Sequence, residues 1–436
     1  MYRYTRQVTR GQSQQAPPWP GRDRASSAPP HAADTTGSRD VSQRAAFRRD
    51  TPTLLCYGAV AGYAFWLYAF GPALALLRAE LGFSYTLLGV YSALWSVGAA
   101  LVGMSFAVIA RRLRRAALLW CSAAAAIVGA ALFAATHVVA LTLLGSVVLG
   151  FAGTTLLTCT QAILSDRHGE RRDRALTEAN VGAAACAVLA PLLLGLLQGT
   201  PAGWRAAMGL PVVVLAGLYL RYRRLPLAPP AAGRPDSGRA RLPLSCWLLA
   251  SLVAAGVAAE FCLVYFGAEL LTVTGLRTVQ AATAMSGFYL GILGGRGGAA
   301  WLTRRAGRAV VLLWASLAIT AAGFLLFWLA GQPVLAIAGL FVCGLGVANL
   351  YPLSLALTLA AAPGDGDTAN ARTQLLAGVL VVAAPYLLGS LADHVGLHVA
   401  FTIVPVLIGV CAVLLPAGLR LAGRPAPDST EDSLTY

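Results

Sequence analysis

The stretch Ala110-Arg111-Arg112-Leu113-Arg114-Arg115-Ala116 lies between two long apolar runs, and it occurs twice. The second copy is Thr303-Arg304-Arg305-Ala306-Gly307-Arg308-Ala309, displaced by 193 residues. Each leads into a similar run, Ala117-Leu118-Leu119 and Val310-Val311-Leu312. Three further pairs echo in the same order. Phe65-x-Leu67-x-x-Phe70-Gly71-x-x-Leu74 returns as Phe261-x-Leu263-x-x-Phe266-Gly267-x-x-Leu270, displaced by 196. Ala190-Pro191-x-x-Leu194-Gly195 returns as Ala384-Pro385-x-x-Leu388-Gly389, and Gly150 and Ala162 return as Gly344 and Ala356, both displaced by 194. A near-constant offset over four pairs reads as two copies of one half-protein.

The 436 residues are 57% hydrophobic and 12% charged, with mean hydropathy +0.68. A soluble domain carries about 25% charged residues. Apolar runs recur along nearly the whole length, so the bilayer is the expected solvent. The net charge of +15 is not read as a nucleic-acid surface. All 33 basic residues are Arg, and they fall in short clusters between apolar runs, as topology signals do. The eight cysteines form no CxxC pair and read as small reduced hydrophobes inside helices.

Residues 1–50, rich in Arg, Ser, Pro and Gln, have no apolar core and read as a disordered tail. Twelve apolar segments follow, each able to cross about 30 Å of hydrocarbon. Their limits are 52–76, 84–108, 116–135, 138–164, 175–198 and 204–221, then 246–270, 280–302, 309–330, 334–360, 373–391 and 397–421. The expected plan is an all-α membrane protein of two pseudo-symmetric six-helix bundles, 51–224 and 246–421. A linker, 225–245, joins them, and a short polar tail, 422–436, closes the chain. With the N-terminus placed in the cytoplasm, 29 Arg fall on the inside and three, Arg78, Arg205 and Arg277, on the outside. Arg296 remains within a span. That asymmetry puts both termini, the linker and the tails in the cytoplasm of a multi-pass cell-membrane protein.

This pattern resembles the major facilitator superfamily over roughly residues 51–421. The family's loop between helices 2 and 3 reads G-x-x-x-D-R-x-G-R-R/K. Arg112 and Arg115 match its basic positions, and Arg305 and Arg308 match them in the second half. Arg111 and Arg304 stand where the family has Asp, and Arg114 replaces its Gly, which Gly307 keeps. Gly203-Trp204-Arg205 before the sixth span is also a common family element. The family's antiporter signature, G-P-x-x-G-G, is kept only at Pro191 and Gly195, which weighs against drug export. The resemblance implies a secondary transporter in which helices 1, 4, 7 and 10 line a central cavity and two bundles rock about it. Arg112, Arg115, Arg305 and Arg308 would then form the cytoplasmic gate loops. The favoured reading is proton-coupled uptake of a small solute. A proton-coupled drug or metabolite exporter, and a non-transporting sensor on the same fold, stay open.

Polar groups in hydrocarbon usually face a bundle interior or a cavity. Glu260 is the one acid well inside a span. It is read as a proton- or cation-coupling carboxylate, or else as half of a structural pair. Arg296 is read as snorkelling toward the interface or as binding an anion. Thr154, Thr158 and Gln161 share one helical face, with Asn349 at the matching place in the second half. They are read as a polar cavity wall or as packing contacts. Tyr63 and Trp66 offer aromatic contacts, or simply fill the span. Pro191, Pro352 and Pro385 remove N–H donors within spans and mark expected kinks. No Walker A, HExxH or G-x-S-x-G pattern is present, so no enzyme, cofactor or metal is expected. The expected partners are the bilayer, a small-molecule substrate and a proton or other coupling ion, with no nucleic acid, and the chain is expected to act as a monomer. In intact cells, single cysteines placed in the 225–245 linker should resist impermeant thiol reagents, and cysteines at 271–279 should react. Labelling of the linker from outside would reverse the orientation.

Overall fold

The computed structural model describes residues 47–227, 242–302, 309–362 and 365–422. Arg305 and Arg308, residues 228–241 of the linker, and tail residues 1–46 and 423–436 lie outside them. Among the described residues the first half contains α1 (Thr51–Leu81), α2 (Tyr85–Arg112), α3 (Arg115–Ala135), α4 (Val139–His168), α5 (Arg172–Leu196) and α6 (Arg205–Tyr222). The second contains α7 (Leu244–Val273), α8 (Thr278–Leu302), α9 (Ala309–Leu329), α10 (Pro333–Val347), α11 (Leu350–Ala360), α12 (Gly366–Val395), α13 (Leu397–Ala400) and α14 (Ile403–Ala422). These helices make twelve spans, because α10 with α11 forms the tenth and α13 with α14 the twelfth. Ten spans are long and apolar enough to cross a membrane. The others are α6, which carries Arg205 and Arg221 at its ends, and α8, which contains six glycines and Arg296. They complete each half at six.

The helix ends follow local chemistry. Asp50 caps α1 by accepting from the Thr53 N–H at 3.2 Å, with Pro52 in the first turn. Gly82 ends it in the left-handed region at φ 68°, its N–H bonded to the Arg78 carbonyl. Both split spans place a proline third in the second piece, Pro352 in α11 and Pro405 in α14. Proline at that place offers no N–H to the carbonyl four residues earlier and crowds it. The tenth span therefore breaks at Ala348–Asn349 instead of only bending. The helix runs unbroken through Pro191 in α5 and Pro385 in α12.

Two copies of one packing scheme are visible in the glycines. A Cβ added at Gly98 would lie 2.5 Å from the Val147 carbonyl oxygen, and one at Gly150 2.3 Å from that of Trp95. These two glycines press α2 and α4 together. In the second half, Gly291 meets the Phe341 carbonyl at 2.2 Å and Gly344 meets that of Phe288 at 2.2 Å, joining α8 to α10. Likewise Gly129 and Gly145 let α3 and α4 touch backbone to backbone, and Gly323 and Gly339 do so for α9 and α10. Every member of one set lies 193 or 194 residues from its counterpart. Small residues at such crossings are the means by which helices approach closely in a membrane.

The halves meet along α2 with α12 and α5 with α8, while α1 touches α7 and α8. The repeated Ala-Pro-x-x-Leu-Gly motif lies at both seams. Gly195 of α5 abuts the Thr283 side chain, and Gly389 of α12 abuts the Tyr85 carbonyl. At the centre, Gly71 of α1 lies against the Val264 backbone of α7. The eight cysteines are unpaired, and only Cys121 is exposed. Gly150→Ala and Gly344→Ala should each lower stability by about 1–3 kcal/mol, because backbone stands where the methyl must go. Gly182→Ala, in open space, should not. Thermal unfolding in detergent is the check, and equal melting points for all three variants would contradict the packing scheme.

Candidate functional site

The interior between the halves is lined by α1, α4, α7, α8 and the α10–α11 break. Glu260 lies near the middle of α7, facing Arg296 of α8 and Cys343 of α10. Its surface is half-buried. Glu260 and Arg296 are near enough for their charges to interact, but they form no ion pair among the described residues. Arg296 instead lies near the Tyr68 hydroxyl on α1. The Tyr68 and Tyr289 rings meet edge-on at 5.1 Å. Arg296 thus lies against α1 of the opposite half and not only toward the interface.

Tyr63 of α1 shares a hydrogen bond of 3.1 Å with Thr154 of α4. Thr158 donates to the Thr154 carbonyl at 2.8 Å. Thr154, Thr158 and Gln161 are half-buried on one face of α4, while their neighbours Thr155, Cys159 and Thr160 are buried. Asn349, at the break, donates to the Gly295 carbonyl at 3.2 Å and so ties the broken span to α8 beside Arg296. Ser286 and Tyr289 each bury a hydroxyl with no hydrogen-bond partner among the described residues, while the Tyr265 hydroxyl lies near Ser96. An unpaired buried hydroxyl is costly, and these two lie on α8.

The structure does not bring Trp66 to this interior. It is fully buried, and its indole N–H donates to the Met208 carbonyl of α6 at 2.9 Å. It has no surface left to contact a solute. Arg112, the last residue of α2, is exposed. Arg115 pairs with Asp166 at the end of α4. Nearby, Arg167 bonds Asp50, His168 bonds Thr53 at 2.8 Å, and Arg49 grips Glu178 through two hydrogen bonds of 2.8 and 3.0 Å. Burial opposes the charge of Asp50, but hydrogen bonds from Arg167 and Thr53 outweigh it and hold its pKa at about 2. All these pairs join elements of the first half. Asp166 thus supplies an acid to the loop from another helix, although Arg111 occupies the loop's own acidic position.

The opposite end carries ties between the halves that sequence reasoning missed. Arg78 of α1 pairs with the buried Glu269 of α7 at 3.1 Å and lies 3.7 Å over the Tyr85 ring. Asp393, in the last turn of α12, accepts from the N–H groups of Tyr85 and Thr86 at 2.9 and 2.7 Å. A carboxylate of one half therefore caps a helix of the other. Gly203-Trp204-Arg205 lies at this end too. Arg205 forms a double hydrogen bond with Glu80 at 2.7 and 3.0 Å and donates to the Ala134 carbonyl, while Trp204 also donates to Glu80. Here residues 69–77 of α1 are nearly inaccessible. Toward the arginine loops, residues 103–112 of α2 and 294–298 of α8 are all at least partly exposed. The interior is closed at one end.

A family model described as Major Facilitator Superfamily matches residues 54–370 and 270–434. None of the curated proteins matches the sequence. Among solved structures, the chain is similar to a bacterial homolog of the human lysosomal transporter Spinster in an inward-facing, unoccupied conformation. Identity is 14% and the TM-score 0.66, over 86% of this chain and 98% of that one. It is similar to the nucleoside transporter NupG at 14% identity and TM-score 0.65, over 86% and 98%. A structure of a proton dependent oligopeptide transporter gives 14% and 0.65, over 85% and 98%.

If Arg78–Glu269 and the Asp393 cap hold the closed end, weakening both should open it. Spin labels at Ala79 and Arg277 should report a longer-distance population in Glu269→Gln/Asp393→Asn than in the parent. An unchanged distance distribution would show that helix packing alone closes that end.

Proposed function

The chain belongs to the Major Facilitator Superfamily, and on that premise we propose that it takes up a small polar solute, using Glu260 to couple transport to the proton gradient. The observation that carries this reading is the interior cluster. Among the described residues, a carboxylate and a guanidinium lie in membrane-spanning helices without pairing, near the Tyr289 hydroxyl, which is buried without a partner. Such groups are retained in hydrocarbon where a solute, water or proton meets them. Glu260 is the proton carrier. Arg296, Tyr63, Thr154, Thr158, Gln161 and Asn349 line the solute's path, with Tyr68 added from the structure.

The arginine asymmetry supports a cytoplasmic position for the loop end and both termini. The closed end then faces outward and the interior opens to the cytoplasm. Arg112 and Arg115 lie at that end, and Arg305 and Arg308 are their counterparts in the sequence repeat. One neighbour on this fold is named as proton dependent, which supports proton coupling as one use of the scaffold. Alternating access would let Glu260 gain a proton on one side and lose it on the other.

The test uses purified protein in proteoliposomes. A thermal-shift screen first identifies a stabilising solute, since a ligand that binds only the folded state raises its melting point. Glu260→Gln should keep that shift and lose gradient-driven accumulation. If the variant still concentrates the solute and a protonophore leaves transport unchanged, Glu260 is structural and the coupling assignment fails.

A further inference from the structure

On the perimeter of the first half, away from the interior, the start of α3 and the end of α6 border a shallow, open groove of about 470 Å³. Its walls are Ala116, Ala117, Trp120, Tyr219, Arg223 and Arg224. The cationic floor consists of Arg223 and Arg224, which are exposed and make no hydrogen bond or ion pair among the described residues. Two other arginines nearby are engaged, Arg221 over the Tyr222 ring and Arg115 with Asp166. No carboxylate lines the groove. Ala116 and Ala117 belong to the first turn of α3, whose cap residue Arg114 provides no side-chain acceptor. The N–H groups of that turn add positive potential. The Trp120 and Tyr219 rings stand edge-on at 5.2 Å and form the aromatic wall.

Toward the middle of the membrane α3 and α6 expose aliphatic side chains. Val128 of α3 and Val213 and Val214 of α6 are 46% exposed or more, with Val213 at 71%. The surface thus carries a two-cation floor, then amphipathic rings, then an aliphatic wall, in the order of phosphate, glycerol and acyl chain in a phospholipid. We propose that this groove is a binding site for one anionic phospholipid. The headgroup phosphate lies between Arg223 and Arg224 at the start of α3, the glycerol region lies against Trp120 and Tyr219, and the chains run along α3 and α6. A soluble anion would use the guanidinium pair alone and leave the aromatic and aliphatic walls uncovered. Basic pockets between membrane helices at the headgroup level are suited to such lipids. The site is separate from the solute path, so it stands whatever the transported solute proves to be.

The test is native mass spectrometry of the full chain in detergent with added phosphatidylglycerol or phosphatidylcholine. One phosphatidylglycerol should persist after gentle activation, and phosphatidylcholine should not. Arg223→Gln/Arg224→Gln should weaken phosphatidylglycerol retention about thirtyfold, as expected from losing two headgroup-level charges. Arg223→Lys/Arg224→Lys should keep it, which separates charge from misfolding, and Trp120→Ala should reduce it. Equal retention of the two lipids, or full retention by the glutamine variant, overturns the proposal. So does inorganic phosphate displacing the lipid from wild type while Trp120→Ala has no effect, since that marks a soluble-anion site.

Discussion

The fold depends on how closely α4 and α10 approach their neighbours. Lipid tails are as apolar as leucine, so burial of apolar side chains gives little net drive for helices to associate in a membrane. Contact must come from dispersion and from backbone lying on backbone. Gly129, Gly145, Gly98 and Gly150 provide it around α4, and Gly323, Gly339, Gly291 and Gly344 provide it around α10. These contacts hold one side of each helix fast. The other side is left to carry chemistry, with Thr154, Thr158 and Gln161 on α4 and Asn349 where the second span breaks.

The charged groups divide by end. At the arginine-loop end the ion pairs join α1, α3, α4 and α5 within one half, as Arg115–Asp166 and Arg49–Glu178 show. At the other end Arg78–Glu269 and the Asp393 cap cross from one half to the other. Pairs within a half stiffen it and are indifferent to the separation of the halves. Pairs between halves must break when the halves part there. The same kind of contact therefore acts as reinforcement at one end and as a conformational bias at the other.

Much of this was legible in the sequence. The repeat offset, the twelve spans and the arginine asymmetry rest on composition and order, and helices in lipid allow few alternatives. Gly150 with Gly344 already marked one of the four glycine correspondences. Glu260 and Arg296 stood out because charge is rare inside a span. Other features depend on contacts remote in sequence. Arg78 and Glu269 are 191 residues apart, and Thr86 and Asp393 are 307 apart. Each lies at a span end, where a charge is unremarkable. An acid ending one span and a lone arginine ending another at the same face was the signal available. Trp66 misled because its helix is apolar all round, so no periodicity shows which way an aromatic turns. The break at Asn349 needed the observation that a proline near the start of a turn can part a helix in two.

That break makes the two halves mechanically unequal. In the first half α4 runs without interruption from Val139 to His168, so its glycine-locked portion and its arginine-end portion turn together as one stiff lever. In the second half the locked portion, with Gly339, Gly344 and Gly346, lies wholly in α10, and α11 begins past the joint. The regular helical bonding is interrupted at Ala348–Asn349, between the locked crossings and the arginine end of α11. A chain built from two copies of one plan has thus become a rigid arm facing a jointed one. Similar sequence motifs at the two ends of the repeat need not undergo similar displacements.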